Sequence, residues 1–145
     1  MYRRVLVAID ASRESTAVLK KGKALAEASS ADLVVAHVVE QPYINYAYGE
    51  LVAQQYLPSV EEIKKQIMPT LLQHMESADV SADLLKVELG TPVDTITEMA
   101  TEGEFDLLVV GSHGRHGLQL LLGSTANGVL HHAKCDVLAV RVFDE

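Results

Sequence analysis

Five short runs of apolar residues punctuate the chain, at positions 5–9, 33–39, 84–89, 107–110 and 137–142. Four of these runs are nearly continuous and rich in β-branched residues, a pattern that indicates strands buried on both faces of a parallel sheet. The run at 84–89 alternates apolar with charged residues instead, which predicts an edge strand with one solvent-facing side. The pattern therefore predicts five strands.

The segments between these runs repeat apolar residues at helical spacing. Val18, Gly22 and Ala26 lie on one stripe behind Ser12, which predicts an amphipathic first helix capped by that serine. The apolar repeat at 60–75 predicts a second helix, and we expect Pro69 to kink or interrupt it.

Two further helix starts carry capping signals. Thr91 is a predicted cap, Pro92 suits the first helical position, and Asp94 is placed to complete a capping box. The last helix is predicted to begin behind Ser124. Its predicted buried side consists of Ala126, Val129, Leu130 and Ala133.

Strands that alternate with helices in this way predict an α/β fold with an open, doubly wound parallel sheet, right-handed crossovers and helices on both faces. Ligands of such sheets bind at the carboxyl ends of the strands, where the strand order reverses. The ends of the first and fourth strands are therefore the predicted place for a binding site.

Length and composition agree with this fold, since 145 residues with 48% hydrophobic and 22% charged side chains predict one compact domain over residues 1–145. Twelve basic and twenty acidic side chains give a net charge of −8, which disfavours partners such as nucleic acid or an anionic membrane. The single cysteine, Cys135, excludes an intrachain disulfide, and the first apolar run is too short for a secretory or membrane-spanning segment. We therefore expect a cytoplasmic protein.

A glycine-rich stretch after the fourth strand is the main candidate for ligand binding. Gly111, Gly114 and Gly123 would let the backbone approach a ligand, and the helix that starts at Ser124 adds free amides and a positive dipole end. This combination suits a phosphate group. The alternative is that the glycines only shape the connection and that Ser124 only caps the helix.

Polar side chains around this stretch would add to such a site. Ser124 and Thr125 offer hydroxyl donors to phosphate oxygens, and Arg115 offers a mobile cation. Asp10, at the end of the first strand, would accept a hydrogen bond from a ribose hydroxyl or an adenine amine, or would interact with the dipole of the first helix. The sequence contains neither a P-loop motif nor a G-x-G-x-x-G motif after the first strand, so those two nucleotide sites are not expected.

Two other kinds of site, a hydrolase triad and a metal site, have less support in the sequence. Ser112, His113 and Asp10 are the residue types of a hydrolase triad, but Ser112 lies in no G-x-S-x-G elbow. His131 and His132 diverge by about 100° around a helix, and with Cys135 they make an improbable metal site.

One long connection, at 40–56, contains four of the five tyrosines. This enrichment favours a lid or an interface, with a half-buried surface loop as the alternative.

The residues as a set resemble the universal stress protein family, and the resemblance covers the whole chain. The matching segments are Val5 to Asp10, His37-Val38, Gly90 to Pro92, Asp106 to Gly114, Gly123-Ser124 and Cys135 to Val140. The resemblance implies a Rossmann-like α/β fold of five parallel strands in the order 3-2-1-4-5. It also implies a homodimer whose last strands pair antiparallel, which here would use the apolar segment from Cys135 to Phe143.

In nucleotide-binding members of this family, the motif G-x2-G-x9-G-[ST] holds the ribose and phosphates of ATP, and the ends of the first two strands lie near adenine. By resemblance, the ribose and phosphates would contact Gly111, Gly114, Gly123 and Ser124. The base would lie beside Ala8, Asp10 and Val38.

This sequence differs from the motif because Gly114 and Gly123 are separated by eight residues rather than nine. Another branch of the family lacks these glycines and is not known for ATP binding. Two hypotheses follow. The first is a stress-response sensor or switch that binds ATP or AMP, with Mg²⁺ as a possible companion and at most slow hydrolysis. The second is a homodimeric interaction protein of the same fold without a nucleotide.

Overall fold

The computed structural model describes residues 1–40, 59–112 and 123–142. Strands and helices alternate along these residues, and a short 3-10 turn, Ala82–Leu84, precedes the third strand. In chain order the elements are β1 Arg4–Ala8, α1 Ser15–Ser29, β2 Asp32–Val39, α2 Val60–Ser77, β3 Leu85–Leu89, α3 Pro92–Glu102, β4 Leu107–Gly111, α4 Ser124–His132 and β5 Asp136–Val140.

The five strands form one parallel sheet in the order β3-β2-β1-β4-β5. This confirms both the predicted doubly wound sheet and the order implied by the resemblance. The alternating strand, β3, is an edge strand as predicted, and its Lys86 and Glu88 are exposed. β1 lies in the middle, between β2 and β4.

Helices cover both faces of the sheet, and each face has its own apolar cluster. Val5 and Val7 of β1 face α1 and α2, where they join Leu19, Leu71 and Met75. The alternate residues of the central strands face α3 and α4, in a cluster that includes Leu6, Ala36, Leu108, Ile96 and Val129. No helix within the described residues has the length and hydrophobicity needed to cross a membrane.

α1 packs directly on the central strand because it carries a glycine at the contact. Gly22 is buried, and a Cβ placed on it would overlap Cγ2 of Val7. Val7 is fully buried and β-branched, so it has little freedom to move aside. The predicted stripe of α1 thus uses Gly22 to set the distance between helix and sheet.

At the amino edge of the sheet, one carboxylate fixes the start of β1. Asp106, just before β4, accepts the backbone amide of Arg3 at 2.9 Å and that of Arg4 at 2.9 Å. These two amides, that of Arg4 first, hold the pKa of Asp106 below its ordinary value of 3.8. Nearby, Tyr2 donates its hydroxyl to Asp136 Oδ2 at 3.0 Å, which ties β1 to the start of β5.

Three local predictions differ from the structure. Pro69 does not interrupt the second helix, although interruption is one of the two predicted effects beside a kink, because it lies on the exposed side, where water can satisfy the carbonyl that proline leaves without a donor. Thr91 precedes Pro92 at the start of α3 as predicted, but its side chain makes no capping hydrogen bond. Leu130, predicted to be buried, is 43% exposed.

The close approach of α1 to β1 makes Gly22→Ala a test of the packing. Alanine favours an exposed helix by about 1 kcal/mol over glycine, but here we expect a net loss of about 1–3 kcal/mol in the free energy of unfolding because the core is overpacked. Denaturant unfolding measures this difference. In the Val7→Ala background the same substitution should cost much less, and a Gly22→Ala protein as stable as the parent would contradict the packing.

The amide contacts of Asp106 predict a pH-dependent contribution to stability. The pKa of Asp106 is lower in the folded protein than in the unfolded chain. The contribution of its carboxylate to stability is therefore complete above pH 3.8 and is lost as the pH falls through the lowered pKa of the folded protein. Asp106→Asn should therefore lower Tm at pH 7, and the difference from the parent should shrink below pH 3.8. Glu102→Gln, on the exposed side of α3, is the charge-matched control, and equal effects of the two substitutions would refute this role.

Candidate functional site

The strand order reverses beside β1, and this is where the sheet can accept a ligand. The chain passes from β1 through α1 to β2 on one side, and it later enters β4 on the other side. The helices that follow β1 and β4 lie on opposite faces, and in open parallel sheets this arrangement is where ligands bind, at the carboxyl ends of the two strands. The register pairs Val7 with Val109. Asp10 and Ser112 each come three residues later, so they lie side by side just past the ends of the two strands.

Asp10 is held by a network of short contacts at the end of β1. Its Oδ1 accepts the amide of Ser12 at 2.8 Å and lies within hydrogen-bond distance of the Ser12 and Ser15 hydroxyls. The Ser15 hydroxyl also lies 2.8 Å from the carbonyl of Asp10, and the amide of Asp10 donates to it at 3.1 Å. The carboxylate is therefore fixed through one oxygen, and Oδ2 has no hydrogen bond to the described residues.

This network corrects the predicted start of the first helix. Ser12 was expected to cap the helix, but α1 begins at Ser15 with Glu14 at its N-cap and no side-chain capping bond. The Ser12 side chain is bonded to Asp10 instead, in the kind of local turn that competes with a helix cap.

Two predicted base-contacting residues lie together on one face of the sheet. Ala8 of β1 and Val38 of β2 are both buried in the cluster beneath α3 and α4. On the opposite face, Nδ1 of His37 lies 2.8 Å from the carbonyl of Ile9. Because a carbonyl can only accept, the ring donates through Nδ1, which ties the ends of β1 and β2 together.

The end of β4 is joined by its backbone to both β5 and α4. The amide of Ser112 donates to the carbonyl of Val140 at 2.8 Å, which continues the sheet one residue past Gly111. The carbonyl of Ser112 accepts the amide of Gly123 at 2.6 Å. This second bond holds the first turn of α4 beside the end of the strand.

Gly123, not Ser124, is the N-cap of α4, and this corrects the alternative in which Ser124 only caps the helix. Ser124 and Thr125 are the first two helical residues, and Gly123 has no side chain with which to cap the helix. The first intrahelical bond runs from the amide of Asn127 to the carbonyl of Gly123. The amides of residues 124–126 therefore have no acceptor in the helix, and they carry the positive end of its dipole.

Several predicted residues lie outside the described residues. These are Gly114 and Arg115 of the glycine-rich stretch, His113 of the triad hypothesis, Tyr43 to Tyr56 and Phe143. Of the predicted site residues, the structure therefore describes Ala8, Asp10, Val38, Gly111, Gly123, Ser124 and Thr125.

The described residues do not show the contacts that a hydrolase or a metal site needs. Asp10 is bonded to serines 12 and 15, and Ser112 Oγ has no hydrogen bond within the described part of the chain. No group of three metal-binding side chains occurs in those same ranges. Cys135 lies at the amino edge, where burial first and the charges of Asp136 and Asp106 next raise the pKa of its thiol.

A cavity of about 260 Å³ opens at the amino edge of the sheet, opposite the carboxyl ends of the strands. Ala26, Leu33 and Val80 line its apolar wall, and Lys23 at its rim is bonded to Asp79 at 3.1 Å. With its cation already paired, this cavity offers a poor site for a phosphate.

Two polar residues of the site were not predicted as such. Ser15 holds Asp10 in place. The sequence shows only that a serine follows the aspartate by five residues, which is too weak a pattern to predict this contact. Ser112 belongs to the predicted glycine-rich binding stretch, directly after a buried strand, but no ligand contact is predicted for its side chain.

Comparisons with known proteins agree with this architecture. The sequence model of the universal stress protein family matches residues 1–141. "Universal stress protein A homolog 2" of Coxiella burnetii is 40% identical over 143 residues, which cover 97% of this chain and 96% of that protein.

Two solved structures are similar over nearly their whole length. Universal stress protein UspA from Lactobacillus plantarum is 28% identical, with a TM-score of 0.71 over 97% of this chain and 98% of the other. The crystal structure of a universal stress protein in complex with cAMP is also 28% identical, with a TM-score of 0.67 over 97% of each chain.

Proposed function

The chain belongs to the universal stress protein family, and from this membership and the geometry of the strand ends we propose that it binds an adenine nucleotide, ATP or AMP. The site lies at the carboxyl ends of β1 and β4. In this proposal the protein is a cytoplasmic sensor or switch in a stress response, and the nucleotide is the signal that it detects.

The observation that carries the proposal is the uncapped start of α4. A glycine N-cap leaves the amides of Ser124 and Thr125 without a side-chain acceptor, at the edge of the sheet where ligands bind. A phosphate oxygen would accept from these amides and would be stabilised by the helix dipole. The hydroxyls of the same two residues would donate to further phosphate oxygens.

The other end of the proposed site suits a nucleoside. Oδ2 of Asp10 is available to accept from a ribose hydroxyl or from the adenine amine, while Oδ1 keeps the carboxylate oriented. Ala8 and Val38 provide an apolar contact for the base. Gly111, at the end of β4, lets the ligand lie close to the backbone between these two groups.

The similar protein in complex with cAMP supports the chemical class of the ligand, because cAMP combines adenine, ribose and a phosphate. A bound ATP would bring Mg²⁺ with it, held mostly by phosphate oxygens and water. Gly114 and Arg115 are proposed to complete the phosphate contacts.

A second candidate is a homodimeric interaction protein without a nucleotide. The spacing of eight residues between Gly114 and Gly123, one fewer than in the nucleotide-binding motif, favours it. Both candidates include a dimer formed through β5, the last strand of the described sheet, whose Val137, Leu138 and Ala139 are only half-buried. A partly exposed apolar edge strand is a template for pairing with a second copy.

Calorimetric titration of the purified protein with ATP and with AMP tests the proposal. Gly123→Val should weaken binding by at least about tenfold, since a side chain there blocks the approach of a phosphate to the helix amides. A bulky residue at Gly114 should have the same effect. Ser81→Val, which places valine before the 3-10 turn at the amino edge, is the control and should leave affinity unchanged.

The outcomes separate the two candidates. Unchanged nucleotide affinity in both glycine variants would refute the site. A folded parent protein that binds neither ATP nor AMP would refute the nucleotide proposal and favour the dimeric interaction protein.

A further inference from the structure

Ser112 carries a buried hydroxyl that no other described group satisfies. The residue is 4% exposed, and its Oγ has no hydrogen-bond partner within the described residues. Burying a hydroxyl without a partner costs free energy, so such groups are rare in folded proteins and call for an explanation. A partner that arrives with a ligand is one explanation.

The backbone of Ser112 is fully bonded, so the unsatisfied group is the side chain alone. Its amide donates to Val140 and its carbonyl accepts from Gly123, at 2.8 and 2.6 Å. These bonds fix Ser112 between β5 and the first turn of α4. The backbone position from which the hydroxyl projects is therefore fixed.

The alternation of the strand sets the face on which this hydroxyl lies. Leu108 and Val110 of β4 point toward α4, where they pack with Ala126 and Val129. Ser112 continues this alternation, and its amide continues the sheet. Its side chain therefore lies on the face of the sheet where α4 begins.

We propose that Ser112 Oγ donates a hydrogen bond to a phosphoryl oxygen of the bound nucleotide, an inference that rests on the proposed function. Two kinds of donor then converge on one anion: the uncapped amides of Ser124 and Thr125, and the buried hydroxyl of Ser112. A phosphate has enough acceptor oxygens for all of them, and the helix dipole favours its charge. The ligand thus satisfies the hydroxyl that the protein does not.

The substitution Ser112→Ala separates this role from a structural one, because it should move two measurements differently. The Tm of the protein without nucleotide should stay the same or rise, since an unsatisfied buried hydroxyl is removed. Affinity for ATP and AMP should fall by roughly tenfold to a hundredfold, the loss of one hydrogen bond to a charged group. Affinity for adenosine, which has no phosphate, should not change.

Ser29 provides a matched control. Its Oγ is also buried without a partner, but it lies in the last residue of α1, away from the strand ends. Ser29→Ala makes the same chemical change and should leave every affinity as in the parent. Ser112→Cys, which keeps the size of the side chain and a weak donor, should bind nucleotide with intermediate affinity.

The titrations use ATP, AMP, adenosine and inorganic phosphate. If Ser112→Ala binds AMP and ATP with the affinity of the parent, the inference is wrong and nucleotide binding stands. If Ser112→Ala loses affinity equally for AMP and for adenosine, the inference is also wrong, because the loss does not involve a phosphate. If the parent binds inorganic phosphate but no nucleotide, and Ser112→Ala weakens that binding, the phosphate contact is supported and the proposed function fails. If the parent binds none of the four, both fail.

Discussion

A parallel strand buried on both faces needs helices above and below it, and this requirement organises the whole molecule around β1. Val5, Leu6 and Val7 are fully buried, so α1 must cover one face of β1 while α3 and α4 cover the other. Crossovers between parallel strands are right-handed. Helices therefore reach both faces only if the chain moves in one direction along the sheet from β1 to β2 and in the opposite direction from β4 to β5. The reversal of strand order beside β1, where open parallel sheets bind ligands, therefore follows from the burial of the strand itself.

Polar groups at the carboxyl ends of β1 and β4 fall into two kinds. Around Asp10, Ser12 and Ser15 bond Oδ1 and the backbone, and only Oδ2 has no bond to the described residues. At the end of β4, the start of α4 has no side-chain cap and Ser112 Oγ has no partner among the described groups. The end of β4 therefore presents donors that have no side-chain acceptor among the described residues, which is the arrangement that the proposed phosphate contact requires.

The sequence predicted the strands well because burial on both faces leaves a strong signal. Its helix ends were predicted less well, because several side chains compete for the same backbone amides. The pattern predicts Ser12 as a helix cap, yet the nearby carboxylate of Asp10 offers it a better bond, and α1 starts at Ser15. At α4 the reverse holds: Gly123, which has no side chain, is the N-cap that Ser124 was expected to be.

Other features depend on contacts far apart in the sequence, so no local pattern reveals them. The exposure of Leu130 reflects the position of α4 next to β5, at the edge of the sheet, and the backbone of Ser112 is bonded both to β5 and to the residue before α4. Pro69 is tolerated because its side of α2 faces solvent. The predicted contacts of Gly114 and Arg115 stay predictions, since these residues lie outside the described ranges.

The most direct test of this account is a crystal structure of the protein grown with AMP or ATP. We expect nucleotide at the carboxyl ends of β1 and β4, with a phosphate on the amides of Ser124 and Thr125 and the base beside Ala8 and Val38. A nucleotide bound elsewhere on the sheet, or crystals that hold none at saturating concentration with the start of α4 accessible, would contradict it.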